Sequence, residues 1–291
     1  RPMLRSLFAG ISGLRVNQTM LDVTGNNIAN ANTTGFKSST TVFQDTLSQM
    51  MTGGTAANAE RGGTNPVQIG LGVQIATTST NFNQGSAQMT GRGTDLMLQG
   101  DGFFVVQRGN EQMYTRAGAF TFDETGTLVT NSGARVQGYG LDATGAPDYA
   151  AGLIDITLDT AVLPTLTPPV VAPTELTSYT FGSDGMLRGV FSDGIQRDMA
   201  QLASADFANV MGLEKIGETA YRASANSGAV QLGVPGQGGA GTVIAGALEM
   251  SNVELAAEFT NLILAQRGFQ ASSRVITTSD QVLEELVNIK R

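Results

Sequence analysis

The chain has 291 residues, of which only 14% are charged, and a formal net charge of -8. It contains no histidine and no cysteine, which removes the usual neutral-pH acid–base group, thiolate nucleophiles, disulfides and nearly all zinc and iron–sulfur sites. The acidic balance and the lack of a basic patch argue against nucleic acid as a partner, because binding there rests on Lys and Arg neutralising phosphates.

At the N-terminus Leu4, Leu7, Ile11, Leu14, Gln18, Leu21, Gly25 and Ile28 recur in alternating steps of three and four, which predicts an amphipathic helix within residues 1–31. Leu7-Phe8-Ala9-Gly10-Ile11 is too short an apolar run for a signal peptide, and no run approaches the roughly 18 apolar residues of a membrane span. Neither a cleaved signal nor membrane insertion is therefore expected. The stretch from Gly25 to Lys37 is rich in Asn and Gly, which tolerate left-handed backbone, so it ends the helix and turns the chain.

Residues 32–66 read as an Asn/Thr/Gly-rich linker, with a short helix from Asp45 to Met51 as an option and an irregular stretch from Thr52 to Asn65. Residues 67–240 read as an all-β domain. Val67, Ile69, Leu71, Val73 and Ile75 alternate with small or polar residues, the period of a half-buried strand. Short strand candidates follow from Leu96 to Tyr139, punctuated by turns such as Arg108-Gly109-Asn110 and Asp123-Glu124-Thr125-Gly126, which predicts an antiparallel sandwich or barrel-like domain. A Pro-rich connector interrupts it at about 159–178, because Pro164, Pro168, Pro169 and Pro173 force extended or turn backbone. Residues 196–206 fit helix and strand equally on pattern.

Three features invite a chemical reading. Gly236-Gln237-Gly238-Gly239-Ala240-Gly241 has the spacing of a dinucleotide-binding loop, but Pro235 precedes it and no strand–helix alternation surrounds it, so it reads as a hinge. Asp123, Asp142, Asp184 and Asp193 sit beside glycine-containing turns, without the spacing of a calcium loop, and are assigned structural roles. Arg92 is placed to pair with Asp95 across another turn, or to contact a neighbouring subunit. No constellation supports a catalytic proposal, and no cofactor is expected.

Residues 241–291 hold the second long helix. Leu255, Leu262, Phe269, Ile276 and Leu283 recur every seventh residue, and Ser251-Asn252-Val253-Glu254 has the form of a capping box. Its remaining surface is small or polar (Ala265, Ser272, Ser273, Thr277, Thr278, Ser279), which suits packing against further helices. The fold class is therefore α+β: terminal helices paired as a coiled-coil domain, joined by linkers to the β domain, with hinges at 52–66 and 233–246. The alternative is two separate amphipathic helices that each cap the β domain.

Two stretches carry a resemblance. Leu21 to Lys37 resembles the N-terminal signature of bacterial flagellar rod and hook proteins, through Asn26, Asn27, Ala29, Asn30, Gly35 and Phe36. Glu249 to Glu254 and Ala265 to Ala271 resemble that family's other end, through Ser251, Asn252, Val253, Gln266 and Arg267. The resemblance implies a non-enzymatic structural subunit of a helical tube. Glu258 to Asp280 looks most like hook proteins, which implies a flexible universal joint carrying motor torque; the distal rod is the alternative. A secreted β-domain binding module or a carboxylate hydrolase is the rival from another class. Implied partners are further copies, the distal rod, hook cap and hook–filament junction proteins, and the type III export apparatus. The implied location is the extracellular part of the flagellum.

Overall fold

The structure, a computed structural model, describes residues 2–56, 62–142, 145–158 and 175–289, and of residues 2–4 and 286 the backbone alone. It divides into two compact units. One comprises Arg1–Ala31, Ser38–Asn81 and Val253–Arg291; the other comprises Asn32–Lys37 and Phe82–Asn252. All strand pairings among the described residues are antiparallel, and the chain is mostly β with one long helix at each end, an α+β composition.

The first unit contains α1 (Pro2–Ala29), β1 (Ser39–Asp45), β2 (Ser48–Thr52), β3 (Val67–Gly70), β4 (Val73–Thr80) and α2 (Leu255–Ile289). At about 1.5 Å per residue α1 is about 42 Å long and α2 about 52 Å. The helices pack antiparallel. Ser6 meets Ser279 at 3.4 Å, Gly10 faces Ile276 and Gly13 faces Ser272. Further along, Gly268 faces Asn17 and Asn27 meets Glu258. Numbers rise along one helix as they fall along the other. Because three of these positions are glycines, the backbones approach closely, and a β-carbon on Gly268 would lie 2.4 Å from the Asn17 Oδ1.

The other side of α1 packs on β1 and β4. Ser12 sits at this contact: its hydroxyl donates to the Ala9 carbonyl at 2.8 Å and accepts from the Val73 amide at 3.3 Å. Gly72, at φ +124°, leaves room for that hydroxyl, since a β-carbon there would lie 2.4 Å away. β1 pairs with β4 from Ser39↔Thr80 to Asp45↔Val73, and β2 with β3 from Ser48↔Gly70 to Thr52↔Val67. The 32–66 stretch expected as a linker therefore holds two strands, and the optional helix at Asp45–Met51 is extended chain. The backbone groups of its two strands are satisfied by residues 15 or more positions away, from Thr52↔Val67 to Ser39↔Thr80, a pairing that local periodicity does not reveal. The 67–75 alternation is likewise two strands of this unit, parted at Leu71-Gly72.

The second helix begins later than the capping box implies. The Asn252 amide donates to the Phe36 carbonyl at 3.4 Å and its side chain to the Asn83 carbonyl at 3.0 Å, which holds that residue extended. The Glu254 carbonyl accepts the Glu258 amide at 3.0 Å, so the helix opens there.

The second unit is built on one large sheet. Its main path runs through Leu176–Phe181, Met186–Phe191, Gln196–Leu202, Arg135–Tyr139, Phe103–Arg108, Glu111–Thr115, Ala220–Arg222 and Glu214–Gly217. The two ends of that path do not pair with each other, so no closed barrel forms among the described residues. Alternation sends residues of Phe103–Arg108 to two cores. Phe104 and Val106 join Leu96, Leu98, Phe120, Leu128 and Leu187, while Phe103 and Val105 join Tyr114, Phe207 and Tyr221. Residues 196–206 resolve as strands. The Gly236–Gly241 loop links Gln231–Gly233 to Thr242–Ala245 and is closed by the Gly236 amide on the Gly241 carbonyl at 3.0 Å. A strand rather than a helix follows it, so it offers no helix N-terminus to a phosphate. The stretches 52–66 and 233–246, expected as hinges, each fall inside one unit. Of the Pro-rich connector, residues 159–174 lie outside the described residues.

Candidate functional site

In the helical unit the groups buried most deeply are not the large residues of the predicted seams. On α1 they are Gly10, Val16, Thr24 and Asn27; on α2 they are Glu258 and Ala265. Leu7, Leu14, Leu21 and Ile28, and opposite them Leu262, Ile276 and Leu283, are half-buried. Ile11, Leu255 and Phe269 are exposed, while the Leu4 side chain lies outside the described residues. The heptad period was legible, but its centre of contact falls on small residues, where the helices come closest.

What remains outside is strongly apolar. Phe8 on α1 is 65% exposed; Phe259, Ile263 and Leu264 on α2 are 52%, 55% and 60% exposed. Val275, Val282, Val287 and Ile289 continue the apolar surface toward the helix end. The ribbons add Leu47, Met50, Met51, Val67 and Ile69, all exposed. Large exposed apolar side chains thus recur along both helices and the strands beside them, the kind of surface that marks interaction sites in general.

The signature residues divide between fold and surface. Asn27 is buried: its Nδ2 donates to the Ser39 carbonyl at 2.7 Å and to Glu258 Oε1 at 3.1 Å, and its Oδ1 accepts the Ser39 amide at 3.0 Å. Asn30 donates to Asn26 Oδ1 at 3.0 Å and to its carbonyl at 2.9 Å. Ser251 and Val253 are half-buried. Asn26, Ala29, Gln266 and Arg267 are exposed, and the Arg267 guanidinium donates to Gln270 Oε1 at 3.5 Å.

In the strand-rich unit, Gly35 takes φ +68° and its amide donates to the Glu249 carbonyl at 2.8 Å. A β-carbon on it would lie 2.5 Å from the Ala117 amide nitrogen, so only glycine fits. Phe36 lies under the Lys215 ammonium, 4.9 Å from the ring centre.

Sequence reasoning missed the charged group beside this turn. Lys37, Arg116 and Glu249 are all buried. Lys37 Nζ donates to Glu249 Oε1 at 2.5 Å and to the Asn83 carbonyl at 2.9 Å. Gly85 donates its amide to the same carboxylate oxygen at 2.9 Å, and Arg116 stands 3.6 Å from Glu249 Oε2. Burial pushes the Lys37 ammonium and the Arg116 guanidinium down from their ordinary values, and Glu249 pulls both back up. This cluster ties the end of the first signature to the start of the second inside one unit. Its only sequence signal was a charge within each quoted motif.

The turn aspartates are spent locally. Asp123 Oδ1 accepts the Thr125 and Thr127 amides, Asp142 that of Ala146, Asp184 that of Met186 and Asp193 that of Ile195. Arg92 lies 3.9 Å from the buried Asp95. Among the described residues no cluster of acidic side chains could hold a metal ion, and no helix is long and apolar enough to cross a membrane.

Comparison with known proteins agrees along the whole chain. Three family models match: the flagella basal body rod protein at residues 7–37, the flagellar hook protein FlgE/F/G D1 domain at 97–189, and the flagellar basal body rod FlgEFG protein C-terminal at 244–289. Flagellar basal-body rod protein FlgG of Bacillus subtilis is 48% identical over 290 residues, covering 99% of this chain and all of the relative. FlgG of Caulobacter vibrioides is 32% identical, covering 97% of each chain. Flagellar hook protein FlgE of Borreliella burgdorferi is 30% identical over an alignment of 441 positions that takes in 99% of this chain and all of the relative. With a relative of such identity aligned from end to end, the chain belongs to the bacterial flagellar rod and hook protein family.

Proposed function

We propose that this chain is the distal rod subunit of the flagellar basal body, a structural protein that polymerises into the drive shaft between motor and hook. The observation that carries this reading is its 48% identity to a basal-body rod protein over essentially the full length of both chains. The hook relative reaches only 30%, and its alignment of 441 positions means that it carries a long stretch this chain of 291 residues lacks. The hook reading drawn from Glu258 to Asp280 therefore gives way to its alternative. That stretch lies within the C-terminal family model, whose description covers rod and hook relatives together.

The mechanism follows from the exposed helix faces. A helical polymer needs contacts that never close on themselves, so each subunit presents different surfaces to its neighbours. Antiparallel α1 and α2 form the core of the subunit as a coiled coil, and Phe8, Phe259, Ile263 and Leu264 are covered by helices of adjacent copies. The exposed signature residues Asn26, Gln266 and Arg267 supply polar contacts at the same interfaces. Adjoining axial proteins cap the polymer at each end, and the chain reaches its place through the flagellar export apparatus.

Electron microscopy of the purified chain under polymerising conditions tests this, beside the Ile263→Ser/Leu264→Ser double variant. We expect straight tubes from the parent chain and none from the variant, whose monomer keeps its stability to within about 0.5 kcal/mol because both side chains are exposed. Curved tubes would restore the hook reading, and tubes from the variant would place the interface elsewhere.

A further inference from the structure

Among the described residues Glu258 is the one carboxylate that the helical unit buries without a cation. Its residue is 7% exposed, and its hydrogen-bond donor is Asn27, itself 1% exposed. Both Nδ2 hydrogens of Asn27 are committed, to Ser39 and to Glu258, and its Oδ1 takes the Ser39 amide. One amide side chain thus joins α1, α2 and the start of β1. The charged residues of the packed elements are Arg5, Arg15 and Asp22 on α1 and Asp45 on β1; β4 has none. On its own helix the nearest are Glu254, just before the first turn, and Arg267. None of them forms an ion pair with Glu258 among the described residues; burial pushes its carboxyl up, while the Asn27 hydrogen bond and its place in the first turn of α2 favour the charged form.

We propose that Asn27, Ser39 and Glu258 form a proton-linked clamp, in which the protonated, uncharged Glu258 side chain holds α2 against α1 and β1 most firmly. A charged carboxylate in this position gives up its water for one neutral amide hydrogen, whereas the protonated acid gives up much less. Burial accordingly raises the Glu258 carboxyl above its ordinary value near 4.5, and the Asn27 hydrogen bond offsets part of that rise. Between 4.5 and the raised folded value the unfolded chain has largely released the proton that the folded unit still holds. Stability of the helical unit is therefore highest in acid and declines as pH rises through the raised value. The clamp is a property of the single chain and stands whether the polymer is rod or hook.

The test is thermal unfolding of the full chain, kept dilute and unpolymerised, followed by helical circular dichroism between pH 4.5 and pH 8. Glu258→Gln keeps an oxygen for Asn27 and removes the charge. We expect the melting temperature of the parent chain to fall with rising pH relative to the variant, with the two converging toward pH 4.5. Parallel profiles would overturn the clamp. Carbon-13 titration of the glutamate carboxyls gives a second readout, with the Glu258 signal assigned by its loss in Glu258→Gln. A midpoint above those of the exposed glutamates is expected, and one equal to theirs would overturn the proposal by itself.

Discussion

The two units handle apolar surface in opposite ways. In the strand-rich unit Leu96, Leu98, Phe120, Leu128 and Leu187 are wholly excluded from water. In the helical unit Phe8, Phe259, Ile263 and Leu264 are more than half exposed, while glycine, alanine and serine occupy the contact between helices. The first completes its core with its own residues. The second has spent its internal contact on close backbone approach and leaves large side chains exposed, the division of labour that the proposed stacking of subunits requires.

The largest expected effect lies in the strand-rich unit. Lys37→Met leaves Glu249 buried with only Arg116, at 3.6 Å, as its charged partner, and should cost about 3–5 kcal/mol, as does breaking a buried pair by removing one member. Urea unfolding followed by the strand signal measures it. If the loss were small, the cluster would not be what splices the two signatures. Ala265→Leu tests the other side of the comparison. Ala265 is fully buried between helices that meet at glycines, so the added atoms force them apart, at a cost of about 1–3 kcal/mol. That loss should appear in the unfolding of the helical unit, followed by the helical signal.

The smallest effect concerns a surface turn. The Arg197 side chain, with the Ile195 amide, holds the Asp193 carboxyl below its ordinary value near 3.8. A folded value lowered in this way contributes stability above 3.8 that is lost as pH falls through the folded value. Asp193→Asn should therefore be slightly less stable than the parent at neutral pH, with the difference vanishing in strong acid. An acid titration of both chains, followed by strand circular dichroism, reads it.

How much was legible follows from the range of each interaction. Helix period, strand alternation and Asp–Gly turns are set within a few residues, so both long helices, most strands from Leu96 to Tyr139 and the local role of the turn aspartates could be read directly. The β1 and β2 strands could not, because their partners lie across a stretch of Ser, Thr and Gly with weak periodicity. Gly10, Gly13 and Gly268 lie outside the heptad positions read from the large apolar residues, yet they are where the helices touch. Asn27 appeared as one of several asparagines in a turn, and only the fold shows that it alone is sealed between α1, β1 and Glu258.

The sequence by itself determined the two terminal helices and the absence of histidine and cysteine chemistry, since composition and local spacing are complete in one dimension, and its terminal motifs carried the resemblance to the family. Tertiary structure decided which face of each helix is spent on its partner, which is left for other molecules, and which three charges are buried together. Those choices depend on distances between residues far apart in the chain. A buried ion cluster or a glycine contact has a physical consequence only once desolvation and close packing bring its members within a few ångströms.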